Sequence, residues 1–86
     1  HQLTQAEIWQ KKAIDLDLEM RGAQHEDLGI DYINYGKLLI EMERFEEAKQ
    51  YLQRGREILV INGSSEIKEV DGLLKGIKAR ERDTKG

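Results

Sequence analysis

Apolar and small residues recur at alternating three- and four-residue steps in four separate runs along the chain. The first is Ala6, Trp9, Ala13, Leu16, Met20 and the second Leu28, Tyr32, Tyr35, Leu39, Met42. The third is Phe45, Ala48, Leu52, Gly55, Leu59 and the fourth Ile67, Val70, Leu74, Ile77. A period near 3.6 residues gathers each run on one face of a helix and leaves the charges outside. The pattern predicts an all-α chain of four amphipathic helices, with Trp9 and the rest of each stripe in the core.

The boundaries follow from local chemistry. Thr4 and Glu7 have the spacing of a capping box and place helix 1 over 4–20. Gly22 suits the left-handed position that ends many helices. Asp27 is the expected cap of helix 2, over 28–42. Asn62-Gly63 ends helix 3, and Ser64 or Ser65 caps helix 4, over 65–82. Only two or three residues around Glu43 and Arg44 separate helices 2 and 3, which makes them antiparallel neighbours.

Composition sharpens this. Eighty-six residues allow one small domain, 1–86, whose core gives thin stability. With no cysteine there is no disulfide or thiolate metal site to reinforce it, and the absence of proline favours uninterrupted helices. The formal charge is −3. From Lys75 onward five cations (Lys75, Lys78, Arg80, Arg82, Lys85) face Glu81 and Asp83, a balance of +3, so positions 1–74 carry −6. Such a tail either touches an acidic partner or is a solvated helix end whose cations suit the C-terminal dipole. No aromatic residue accompanies these cations, and nucleic acid is not an expected partner. No apolar run approaches the roughly 20 residues that span a bilayer, and no signal-peptide pattern is present. A soluble cytoplasmic protein is expected, and an opening on His1-Gln2 rather than Met suggests an excised or processed piece.

Self-comparison adds a repeat. The stretch from Gln5 to Ile14 aligns with Glu47 to Arg56 at a 42-residue offset, matching Ala6 and Ala13 to Ala48 and Gly55, and Trp9 to Tyr51. Gly22 and Gly63 echo each other at nearly the same spacing. Glycine inside a helix costs about 1 kcal/mol relative to alanine, so Gly36 and Gly55 point to close helix–helix packing. Ala48, Ala6 and Ala13 are the other small residues expected at such contacts.

These residues carry a resemblance. The run Gly22-Ala23-Gln24-His25-Glu26-Asp27-Leu28, then Asn34-Tyr35-Gly36, then Arg44-Phe45-Glu46-Glu47-Ala48, resembles the tetratricopeptide repeat, and more closely the 42-residue variety of kinesin light chains and related adaptors. Glu26 stands where that pattern has proline, Glu43 where it has a turn glycine, and Ile33 where it has the first of two asparagines. The resemblance implies that 4–20 is helix B of a preceding repeat. It makes 22–61 a complete repeat and 64–82 helix A of a following repeat or a capping helix. It also implies a structural role for His25 in the loop between repeats, and a concave groove on the A helices that binds a protein or peptide. Projected on this chain, the groove side of helix 2 holds Ile30, Ile33, Lys37, Ile40 and Glu41, with Asn34 at its margin. The isoleucines either pack on helix 4 or a neighbouring repeat, or form an apolar floor for a bound segment. Asn34 can donate to and accept from a peptide backbone.

Nothing resembles a catalytic or cofactor site. His25-Glu26-Asp27 points its side chains in different directions and lacks a third metal ligand. The glycines are scattered rather than gathered in a phosphate loop. Gly72 and Gly76, in a charged helix, mean close packing at most and not membrane dimerisation. Two functions remain: a non-catalytic interaction scaffold, or a structural segment that caps an array, stacks on neighbouring repeats or self-associates.

Overall fold

The computed structural model describes residues 2–85, with side chains for residues 2–82. Its elements are four helices in chain order: α1 (Gln2–Arg21), α2 (Glu26–Glu41), α3 (Phe45–Ile61) and α4 (Ile67–Lys85). Consecutive helices pack as neighbours, and α2 also touches α4.

The ends of the helices show which side chains satisfy the free amides. His25 rather than Asp27 caps α2: its Nδ1 accepts from the Asp27 amide at 3.1 Å, so the helix begins at Glu26. This gives His25 a structural place in the loop. Thr4 lies inside α1 and not at its start, and Glu7 turns away from the helix end to meet other helices. Ser64 Oγ accepts from the Glu66 amide ahead of α4. Gly22 (φ 93°) and Gly63 (φ 65°) take the left-handed conformation that only glycine adopts without cost. Glu43 takes it too, at φ 60°, in the turn between α2 and α3.

The α2–α3 hairpin is the centre of the molecule. A Cβ built on Gly36 would lie 2.6 Å from Leu52 Cδ2, and one on Gly55 would lie 2.5 Å from Ile33 Cδ1 and 2.8 Å from the Gly29 carbonyl oxygen. Ala48 is fully buried beside them. Gly36, Ala48 and Gly55 thus lie where α2 and α3 approach each other closely. Gly29 belongs with them, its own Cβ position being 3.3 Å from the Gly55 carbonyl oxygen. Around this seam the core is purely apolar, with Leu28, Tyr35, Leu39, Leu52, Leu59, Val70 and Ile77 buried.

Helix α1 meets this core with a different face from the expected one. Ile14 is buried, and Leu3, Glu7, Gln10, Ala13 and Asp17 are half-buried around it. Trp9 is 68% exposed, Met20 73% and Leu16 55%, so the stripe assigned to the core faces outward. Ala6 is likewise exposed and makes no packing contact of the expected kind, while Ala13 sits half-buried at the edge. The physical reason is that α1 has two apolar sides, and only the one holding Leu3 and Ile14 has a helix against it.

The glycines give a paired test. Gly55→Ala forces its methyl against a backbone oxygen, and is expected to lower the unfolding free energy by about 1–3 kcal/mol. A Cβ on Gly76, in the middle of α4, meets nothing within 4 Å. Gly76→Ala therefore raises stability by up to about 1 kcal/mol through helix propensity alone. Urea denaturation of both variants measures the two opposite signs.

Candidate functional site

The candidate groove is built on the rows of α2. Gly29, Ile33, Gly36 and Ile40 form the row turned to α3, and Ile33 is only 3% exposed because it fills the space that Gly55 vacates. Ile33 is therefore core and does not line a surface. Ile40 continues the same row, half-buried against the core. What α2 leaves open is the next row, Ile30, Asn34, Lys37 and Glu41, of which Asn34 and Glu41 are exposed and Ile30 and Lys37 half-buried. Lys37 reaches across to an ion pair with Glu69 of α4 and so joins the two helices on this side. Glu69, Gly72, Gly76 and Ala79 of α4 are all exposed, and no atom of another helix stands within 4 Å of a Cβ on either glycine. The groove thus has a side-chain wall on α2 and nearly bare backbone on α4. A chain segment lying there could approach the α4 backbone closely, with Asn34 placed to hydrogen-bond it.

Two polar clusters tie α1 to the hairpin. The Tyr35 hydroxyl donates to Glu7 at 2.6 Å, and Arg44 Nη1 donates to the same oxygen at 2.8 Å. Arg44 also forks onto Glu47 at 2.9 and 2.6 Å, bridging α1 and the start of α3. The Tyr35 hydrogen bond, together with Arg44, holds the Glu7 carboxyl below its usual range against the opposing effect of burial. Burial and the bond to Glu7 push the Tyr35 hydroxyl upward. The cluster is a positioned network rather than an acid–base pair, because the shifts favour the neutral Tyr35 hydroxyl and the ionised Glu7 carboxylate, each group's resting form.

The second cluster is less comfortable. Oδ2 of Asp31 is buried with no hydrogen-bond partner, and Asp17 of α1 lies within hydrogen-bonding reach of the same carboxyl. Burial first, then the hydrogen bond and charge of Asp17 and the charge of Asp27, push Asp31 up to about 7. Arg21 pairs with Asp17 and Asp27 at 3.4 and 3.1 Å. Periodicity did not single out Asp31. The available signal was an aspartate in the core-facing half of a helix whose predicted neighbour carries Asp17 in the matching half.

Elsewhere a shallow depression of about 250 Å³ is lined by Ala23, Gln24, Tyr32, Arg54, Glu57, Ile58 and Ile61. It joins no reactive set of groups. Among the described residues no group of three His, Cys, Asp or Glu side chains could hold a metal ion, and no helix is long and apolar enough to cross a membrane. In the basic tail, Arg80 stacks over Phe45 and Glu81 pairs with Lys49, so part of the tail is fixed to the hairpin. Asp83 and Lys85 lie outside the residues whose side chains are described.

Compared with known proteins, the family model of the tetratricopeptide repeat matches residues 1–59. No curated protein and no solved structure matches the chain significantly.

Asp31 sets the expected pH dependence. Its folded value is raised above the unfolded one, so its contribution to stability is complete below about pH 4, where both states are protonated. That contribution is lost as pH rises through about 7. Glu7 acts oppositely, but only as pH falls through its depressed value. The melting temperature should therefore climb as pH falls from about 8 to 5, and Asp31→Asn should flatten that part of the profile. A wild-type profile that is level over this window, or a slope unchanged in Asp31→Asn, contradicts the assignment.

Proposed function

Because the chain belongs to the tetratricopeptide repeat family, a family of protein–protein interaction scaffolds, we propose that it is a non-catalytic adaptor segment binding a protein or peptide in the groove between α2 and α4. In this reading α1 is helix B of a preceding repeat, α2 and α3 form the complete repeat over 22–61, and α4 occupies 64–82 as the next A helix. The 42-residue spacing and the Gly22–Leu28 motif support the kinesin-light-chain type, and a cytoplasmic adaptor role goes with it.

The observation that carries the groove is the open row Ile30, Asn34, Lys37 and Glu41 facing an α4 surface of Gly72, Gly76 and Ala79. A bound segment would lay its backbone over the glycines, with apolar contact at Ile30 and polar contact at Asn34, Lys37 and Glu41. The mixed wall of one apolar and three polar side chains suits a peptide of mixed character rather than a uniformly charged one.

The alternative, a capping role, draws on a different observation. At the 42-residue offset the α2 row that clasps α3, namely Gly29, Ile33, Gly36 and Ile40, becomes Asp71, Lys75, Lys78 and Arg82 in α4. A further helix could not close on that row without burying charges, which costs several kcal/mol per unpaired group. Such a polar outer face is what the last helix of an array requires. Capping and groove binding are compatible, since they use different faces of α4.

Panning a displayed peptide library against the folded chain tests the groove. Peptides should be enriched whose binding falls at least about tenfold, or about 1.4 kcal/mol, on Asn34→Arg or Glu41→Lys, both exposed sites whose replacement leaves the helical circular dichroism intact. Binding that survives both changes places the ligand elsewhere.

A further inference from the structure

The turn that closes α3 carries a reactive pair. Asn62 is the C-terminal cap of that helix, and Gly63, in the left-handed conformation at φ 65°, follows it. Both residues are exposed, and a Cβ on Gly63 would meet nothing within 4 Å, so water reaches the pair freely. An asparagine followed by glycine is the pair in which the next backbone nitrogen most easily attacks the side-chain amide, because no side chain stands in its way. The other asparagine, Asn34, lies inside α2 and is followed by the bulky Tyr35.

The Asn62 side chain also has a structural task. Its Nδ2 donates to the Gln24 and Ile58 carbonyl oxygens, each at 2.9 Å. The first bond ties the α1–α2 loop to the turn between α3 and α4, and the second folds the side chain back on its own helix. The Gly63 amide is engaged too, donating to the Val60 carbonyl oxygen at 3.1 Å.

We propose that Asn62-Gly63 is a deamidation site, at which conversion of the side-chain amide to a carboxylate releases the α1–α2 loop from α3. The Gly63 nitrogen gives its proton to solvent and bonds to Asn62 Cγ. The Cγ–Nδ2 bond breaks, ammonia leaves with a proton taken back from solvent, and a cyclic imide remains. Water, the only co-reactant, then opens the ring. Cutting the bond from Cγ to nitrogen gives aspartate, and cutting the bond from the backbone carbonyl to nitrogen gives isoaspartate.

The structure sets both the rate and the consequence. Ring closure requires the Gly63 amide to leave Val60 and the Asn62 side chain to leave both carbonyls, so it proceeds from the opened cap and folding slows it. The product puts a negative charge where a donor stood. That charge faces two carbonyl oxygens at the C-terminal end of α3, where the helix dipole is negative as well. Isoaspartate also lengthens the backbone at the cap. Either product removes the bond to Gln24, and the loop loosens. The site does not depend on the groove between α2 and α4, so failure of one reading leaves the other standing.

Peptide mass spectrometry of the full chain, incubated at mildly alkaline pH both folded and in urea, reads the conversion. Asn62 should convert in both, at least about tenfold more slowly when folded, while Asn34 of the folded chain keeps its amide. Asn62→Asp, a mimic of the product, should speed tryptic cleavage after Arg21, the last residue of α1, by about fivefold. The proposal is overturned if Asn62 of the folded chain holds its amide as long as Asn34 does, or converts as fast folded as unfolded. Unchanged cleavage after Arg21 in Asn62→Asp overturns the release of the loop.

Discussion

The mutual approach of two backbones, at Gly29 and Gly55, is the constraint on which the rest of the structure depends. Each glycine leaves room for the other's carbonyl, and the space that remains takes Ile33 on one side and Ile58 on the other. Both glycines cost helix propensity, about 1 kcal/mol each, that only tight packing offsets. Once this seam fixes the rotation of α2 about its axis, its other rows have no freedom. Asp31 and Tyr35 turn to α1, and Ile30, Asn34, Lys37 and Glu41 are left on another side of the helix. A bulkier residue at the seam would therefore disturb the groove and the α1 contact together.

The contacts that attach α1 and α4 to this hairpin use corresponding positions with different chemistry. Glu7 of α1 binds Arg44 and Tyr35, and its counterpart in α3, Lys49, binds Glu81. The position is kept as an ion-pair site while its sign is reversed. Asp17 and Asp31 meet between α1 and α2, and their counterparts Leu59 and Leu73 both belong to the apolar core. At this position the α3–α4 joint is sealed by apolar burial, whereas the α1–α2 joint places two carboxyl groups side by side. The carboxyl pair makes the attachment of α1 sensitive to the protonation of Asp31.

Much of this was legible in the sequence, for identifiable reasons. Four helices, the tight α2–α3 turn and the small residues at the seam follow from periodicity and from glycines that make no sense in a helix otherwise. The facing of α1 did not follow, because a hydrophobic period marks a stripe without saying which side of the helix finds a neighbour. Leu3 and Ile14 won over Trp9 and Leu16 only because α2 lies on their side. Ile33 was ambiguous for the related reason that α2 is apolar on several faces, and the deciding fact, the empty space above Gly55, belongs to another helix. Asp27 and Thr4 were reasonable caps that lost to His25 and to an earlier helix start, a difference of two residues that propensity does not resolve.

The two outer helices then give the molecule a direction. On α4 the row that would receive a following helix is charged, and its one acidic member, Asp71, is already held by Arg56 at 2.7 Å. On α1 the corresponding outer face is apolar and unsatisfied. Water treats these two ends oppositely: hydrating Lys75, Lys78 and Arg82 is favourable, whereas hydrating Trp9, Leu16 and Met20 forgoes roughly 25 cal/mol for each Å² that could be covered. The charged row of α4 is thus at ease in water, whereas the outer face of α1 gains from being covered.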